Sequence, residues 1–276
     1  MKVAGSSISA RGLTKVYGAG PSAFHALGPI DLDVAAGEFV SLIGPSGCGK
    51  STTMLLVSGL EPPTAGDVVI DGRPLTKPLS DVGIVFQDHL LLEFRNAMDN
   101  VMLQQQIRGL DKATTAMTAA ALFERLGLSG AEQRYPSQLS GGMRQRVSIA
   151  RALVHQPPML LMDEPFGALD AITRTQIRHD LELLWLETRK TVLFITHSIE
   201  EAIGLSDRVL VMSKSPGTIV EEIAINLPRP RPAHLGEYPE FSQYSKRIYE
   251  IFERLGIYNF SDTRTSSGGS MLGAPQ

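Results

Sequence analysis

Short apolar runs recur along the chain and alternate with longer stretches whose apolar positions repeat at helical spacing. The clearest runs are Phe39–Ile43, 82–86, 159–162, Thr191–Thr196 and Arg208–Met212. Continuous apolar runs of this kind mark strands buried on both faces. With helical stretches between them, they predict an α/β domain around a mostly parallel sheet. Ligands of such sheets gather at the carboxyl ends of the strands, so the residues that follow each run are the first candidates for chemistry.

The strand signal stops between 87 and 140, where an Ala-, Leu- and Gln-rich stretch that includes 100–109 and 113–126 reads as a helical insertion, spanning about 88–150. Past Ser213 the pattern changes again. Pro228, Pro230 and Pro232 alternate with Arg229 and Arg231, and such a segment continues neither helix nor sheet. One domain is therefore expected over 1–227 and a C-terminal extension over 228–276. That extension holds one amphipathic helix at 238–255 and a Ser-, Gly- and Thr-rich tail at 261–276 that is expected to be disordered.

At 276 residues the chain can bury a sizeable core without staples. A formal net charge of −3 leaves no basic footprint, which sets nucleic acid aside as a partner. Cys48 is the only cysteine, so no intrachain disulfide forms, as fits a reducing compartment. The apolar runs fall far short of the roughly 20 residues that cross a bilayer. Residues 1–10 carry a single Lys and no continuous apolar block, unlike a secretory signal. A cytosolic protein is expected.

Gly44-Pro45-Ser46-Gly47-Cys48-Gly49-Lys50-Ser51 fits the G-x-x-x-x-G-K-[ST] pattern, with Thr52 next, between the run Phe39–Ile43 and a helical stretch over 51–60. Glycines let successive backbone N–H groups turn inward around a phosphate, and the positive end of the following helix adds to that field. Lys50 is expected to reach the β- and γ-phosphates of a nucleotide, and the Ser51 hydroxyl to ligate Mg²⁺. Cys48 occupies a free position of the loop, with no nearby base or metal pattern to make it a nucleophile.

The run 159–162 ends in Asp163-Glu164-Pro165. Two adjacent acids after a buried strand are costly without a charged partner, which Mg²⁺ with ATP supplies. Asp163 is the candidate for the metal, through water, and Glu164 for the general base that polarises the attacking water. His197 closes Thr191–Thr196 on the same edge, and Ser198-Ile199-Glu200-Glu201 after it reads as a capping box that opens a helix.

Leu139-Ser140-Gly141-Gly142-Met143-Arg144-Gln145 precedes a helix with apolar positions at Met143, Val147, Ala150 and Val154. Ser140 is expected to cap it, which makes a second anion-binding end. One nucleotide has no use for two such ends in one subunit. Two chains facing head to tail, each completing the other's pocket, would use both.

Leu139 to Gln145 resembles the signature sequence of the ATP-binding subunits of ABC transporters, and the resemblance extends over roughly 8–226. It implies a P-loop NTPase core of the ABC ATPase kind, with a mostly parallel sheet, an antiparallel β part and an inserted helical subdomain. It implies ATP and Mg²⁺ as cofactors, a second copy of the chain as partner in a nucleotide-sandwich dimer, and transmembrane permease subunits with, indirectly, a substrate-binding protein. The place implied is the cytoplasmic face of the inner membrane, as a peripheral subunit. By the same resemblance Tyr17 stacks on adenine, Gln87 senses Mg²⁺ and the attacking water, and His197 contacts the γ-phosphate. Asp170 forms a dimer-contacting loop, and Ser140 and Gly142, with Gly141 between them, bind the ATP held by the opposite subunit.

The chain departs from many relatives at Met143, where they carry Gln, and at Glu93-Phe94, where many oxyanion importers carry Pro-Trp in the socket for the membrane subunit. The segments 139–146 and 163–170 and Leu227-Pro228-Arg229-Pro230-Arg231 resemble the nitrate/sulfonate/taurine importer group, which implies uptake of a small solute. Two other readings stay open from the residues. A soluble ABC ATPase usually needs two cassettes or a long coiled-coil insertion, and a P-loop small-molecule kinase has no use for Ser140 to Gln145.

Overall fold

The computed structural model describes residues 5–167 and 169–258. The chain opens with a hairpin, β1 (Ile8–Tyr17) and β2 (Phe24–Val34), and then enters the core as β3 (Phe39–Ile43), which leads into α1 (Lys50–Ser58). After β4 (Ala65–Ile70), β5 (Arg73–Pro74) and β6 (Gly83–Val85) come three helices, α2 (Ala97–Arg108), α3 (Lys112–Arg125) and α4 (Gly141–Leu153). The remainder is β7 (Met159–Asp163), α5 (Ala171–Thr188), β8 (Thr191–Thr196), α6 (Ile199–Leu205), β9 (Arg208–Met212), β10 (Ile219–Ala224) and α7 (Pro239–Arg254).

These strands make two sheets. The larger runs β10-β9-β3-β8-β7-β6, parallel except for the edge strand β10. Every residue of β3, β7 and β8 is buried, as their unbroken apolar runs require. The smaller sheet, β2-β1-β4-β5, is antiparallel. In β2 the alternation of buried Ala26, Gly28, Ile30, Leu32 and Val34 with exposed partners beyond Leu27 turns one face to the core. The mixture of a mostly parallel sheet, an antiparallel part and packed helices is the fold class expected.

The helices α2, α3 and α4 occupy the stretch read as an insertion and share one hydrophobic cluster with the sheet through Val101, Phe123 and Val147. Asn96 and Asp111 cap α2 and α3, and Gly109 ends α2 in the left-handed region, so local chemistry sets these boundaries. Among the described residues no helix is long and apolar enough to cross a membrane.

The segment that starts the extension runs into the domain rather than away from it. Arg231 is one of the most deeply buried side chains, and it donates to the carbonyl oxygens of Ile203 and Ser206. Burial pulls its guanidinium down to about 10, while Glu182 and Asp207 pull the other way. Arg229 pairs with buried Glu182 at 2.9 Å and stacks on the Trp185 ring at 4.4 Å. The helix α7 then packs Ile248, Ile251 and Phe252 against Ile43, Ala202 and Val211 in one cluster. The tail at 261–276 lies outside the described residues.

Removing one partner of a buried ion pair strands the other charge at a cost of about 3–5 kcal/mol. Arg229→Ala is therefore expected to lower the unfolding free energy by up to about that amount in urea titration, because it leaves buried Glu182 with only the Arg231 N–H. A loss below about 1 kcal/mol, the level of an exposed pair, would show that the clasp contributes no more than a surface contact.

Candidate nucleotide site

Four parallel strands end at one edge, and their register brings the candidates together. Ile43 of β3 lies beside Thr196 of β8, Asp163 of β7 beside Ile195, and Val85 of β6 beside Met162. Gly44, His197 and Glu164 follow three of these ends directly, and Gln87 lies two residues past β6. Around them lies a groove of about 350 Å³ lined by Tyr17, Phe24, Ala26, Ser46, Gly47, Gly49, Lys50, Ser51, Thr52, Gln87 and Glu164.

The loop between β3 and α1 is shaped by Gly47 and Gly49, whose φ values of +76° and +101° lie in the left-handed region. A Cβ on Gly49 would also stand 2.7 Å from the Ala26 carbonyl oxygen. No side chain caps α1, so its first N–H groups and its positive dipole end are left to the groove. Lys50 is buried and donates to the Gly44 and Pro45 carbonyls, each at 2.9 Å. Cys48 turns away from the groove. Its thiol is buried 3.9 Å from the Met212 sulfur, and burial pushes it above the ordinary thiol range, so only its backbone belongs to the cradle.

The carboxylates divide as their positions dictate. Asp163 ends β7 and is buried, and desolvation raises its pKa while a hydrogen bond from Ser51 lowers it. Its Oδ1 atom is buried with no hydrogen-bond partner. A raised carboxylate with one orphaned oxygen beside a hydroxyl is a set of hard oxygen donors, and it fits Mg²⁺. Among the described residues no group of three or more acids, histidines or cysteines could hold a metal alone.

Glu164, one residue later, has a φ of +43° and donates its N–H to the Ile195 carbonyl at 2.9 Å. This conformation is uncommon for a side-chain-bearing residue. It points the carboxylate into the groove, with Oε1 3.8 Å from Lys50 Nζ and Oε2 2.9 Å from His197 Nδ1. Carrying its proton on Nδ1, His197 donates to Glu164. The expected capping box after it forms only in half. Ser198 accepts from the Glu201 N–H, but the Glu201 carboxylate accepts from Thr196 Oγ1 instead of reaching back to the cap.

Tyr17 lines the groove with its ring 4.9 Å from the Lys15 ammonium. Phe24 pairs with it in register and lines the same groove although more than half exposed. Sequence reasoning missed Phe24, whose signal was an aromatic at the polar start of a strand.

Ser140, Gly141 and Gly142 do not line this groove. Ser140 caps α4, accepting from the Met143 N–H at 3.2 Å, and is exposed. Asp170 likewise caps α5 and accepts from the Thr173 N–H at 3.0 Å, and these hydrogen bonds hold its carboxyl below the usual range. A Cβ on Gly142 would stand 3.1 Å from Thr173 Cγ2. The two capped helix ends are therefore exposed neighbours that lie outside the lining of the subunit's own groove.

The family described as ABC transporter matches residues 27–167, which hold the phosphate loop, Asp163, Glu164 and the capped end of α4. The chain belongs to the ABC transporter family. It is 45% identical over 201 residues to the taurine import ATP-binding protein TauB of Yersinia pestis, covering 73% of this chain and 79% of that one. It is 39% identical over 255 residues to the aliphatic sulfonates import ATP-binding protein SsuB of Bacillus cereus, covering 92% and 99%. Among solved structures it is similar to the dimeric bacterial ABC transporter cassette MJ0796, at a TM-score of 0.72 and 33% identity over 80% of this chain and 100% of that one. The same cassette is known as a dimer in a post-hydrolysis state bound to ADP and Pi. This ABC subunit is an ATPase.

Because the folded-state pKa of Asp163 is raised, its ionisation opposes folding. That penalty is absent below the ordinary carboxylate range, grows as pH rises through it, and is complete above the raised value. At pH 8 without metal or nucleotide, Asp163→Asn is expected to melt above the parent, with the gap closing as pH falls below the ordinary carboxylate range. A variant that melts no higher than the parent at pH 8 would contradict the burial penalty.

Proposed function

We propose that this chain is the ATP-hydrolysing subunit of an ABC importer, working as a pair in which each copy closes the nucleotide groove of the other. The observation that carries this reading is the exposed N-terminal end of α4 at Ser140. It is built and capped, yet it stands outside the subunit's own groove. In a head-to-tail pair, Ser140 and Gly142 of one copy would face the triphosphate held by the other, with the Asp170 loops between them.

Within each groove the loop N–H groups and Lys50 hold the β- and γ-phosphates. Tyr17, joined by Phe24, offers a face for adenine. Ser51, Asp163 and Gln87 would hold Mg²⁺, which when bound neutralises phosphate charge. Glu164 takes the proton of the attacking water. His197 steadies that carboxylate and reaches the γ-phosphate.

The pair would sit peripherally at the cytoplasmic face of the membrane, beneath permease subunits served by a substrate-binding protein. Just after Gln87, Leu90 and Phe94 expose apolar surface, 55% and 75% of their areas, and supply a seat for the permease. The transported solute belongs to the taurine and sulfonate class by likeness to the two importer subunits. The substrate does not touch this subunit, so uptake assays with the assembled transporter are what identify it.

Removing a general base costs on the order of 10²–10⁴ in rate. Glu164→Gln is expected to lose ATPase activity by about 100-fold or more while still binding ATP, and to elute as a dimer only when ATP is present. Hydrolysis at the parent rate would remove Glu164 from the role.

A further inference from the structure

The turn that joins β9 to β10 lies far from every sequence motif of the site, yet it touches the ATP groove from behind on two sides. On the phosphate side, Gly217 stands against the back of the cradle. A Cβ there would fall 1.8 Å from the Cys48 carbonyl oxygen and 2.7 Å from the Met212 methyl. The end of β9 presses the same loop, since a Cβ on Gly44 would meet Met212 Cβ at 2.9 Å. On the base side, the Gly217 carbonyl accepts from the Gly28 N–H at 3.0 Å, and Gly217 bridges to Leu27 in β2. Ser215 Oγ donates to the His25 carbonyl, next to Phe24.

The turn is closed by its own hydrogen bonds. Ser213 Oγ accepts from the Thr218 N–H at 2.9 Å, and the Ser213 N–H donates to the Thr218 carbonyl at 2.9 Å. At its outer side Lys214 donates to the Gly256 carbonyl just past α7. The extension thus holds the far end of the same strut.

We infer that this turn is the positioning element of the nucleotide groove, and that Gly217 fixes the phosphate cradle against the base-stacking wall. The physical reason is the direction of the cradle's dipoles. For the loop N–H groups to converge on phosphate, the peptide carbonyls on the other side must point outward, and the Cys48 carbonyl points straight at Gly217. Only a residue without a side chain lets the turn close on that carbonyl and still bond to Gly28. The turn therefore preorganises the loop before ATP arrives, which lowers the ordering cost that binding must meet. Phosphates common to ATP and ADP rest on this loop, so both nucleotides depend on the turn alike.

The inference rests on the groove being the ATP site. Its test measures ATP and ADP affinity by isothermal titration on full-length variants, at a temperature where circular dichroism shows each one folded. Gly217→Ala is expected to bind both nucleotides about 10-fold or more weaker, by the same factor, because the cradle is displaced as a unit. Ser213→Ala removes only the hydroxyl that closes the turn, and a threefold loss, the scale of one hydrogen bond, is expected for both nucleotides. Gly236→Ala, whose added methyl meets nothing within 4 Å, is expected to bind as the parent does.

Affinities within about twofold of the parent in folded Gly217→Ala, or in Ser213→Ala should Gly217→Ala not fold, would overturn the inference. Loss of ATP binding alone with ADP binding intact would overturn it too, since that signature belongs to the γ-phosphate and not to the cradle. If Lys50→Ala bound ATP as tightly as the parent, the reading of the groove itself would fall, and the turn would have nothing to position.

Discussion

A helix that begins without a cap holds this site together. The N-terminus of α1 offers its first N–H groups to the groove because Gly49 supplies no side chain to satisfy them, and Gly47 and Gly49 bend the preceding loop inward. Everything else is arranged around that unsatisfied positive end. The sheet delivers it at the carboxyl edge of β3, and the register of β8, β7 and β6 sets His197, Glu164 and Gln87 beside it. Phosphate is the ligand that such a dipole end is shaped to hold.

Charge follows the same logic. Lys50, Asp163 and Glu164 are largely withdrawn from water within one small volume. Lys50 and Glu164 offset one another, with His197 alongside, while Asp163 keeps one oxygen without a partner. This is a costly arrangement for folding alone and an appropriate one for a polyphosphate with a divalent cation. The left-handed backbone at Glu164 belongs to the same pattern, since it turns the carboxylate toward Lys50 and His197.

Much of this was legible in the amino-acid sequence, and the exceptions share a cause. The parallel strands announce themselves because burial on both faces demands unbroken apolar runs such as Phe39–Ile43 and Thr191–Thr196. The phosphate loop is readable because only glycines meet its backbone demands. By contrast, β1, β2, β4 and β10 are half-exposed, and bulges in β1 break its alternation, so their local pattern is weak. Phe24 was hidden for that reason. Glu201 matched a capping pattern but found a better donor in Thr196, a contact decided by tertiary packing. Arg229 and Arg231 stand among prolines that read as a domain boundary, and only the fold reveals the carbonyls and the Glu182 carboxylate that repay their burial. Gly217 carries no motif, because what it accommodates is the carbonyl of a distant loop.

The central claim is that a working pocket needs two copies, one for the cradle and one for the cap at Ser140. Lys50→Ala disables the first part and Ser140→Arg the second, and a mixed dimer of the two retains one intact pocket if the parts come from different chains. The decisive measurement is the ATPase rate of the two purified variants alone and mixed in equal amounts. The account predicts two inactive proteins whose mixture recovers toward about a quarter of the parent rate, since half of random pairs are mixed and each holds one whole site. A mixture no faster than its separate components would contradict it.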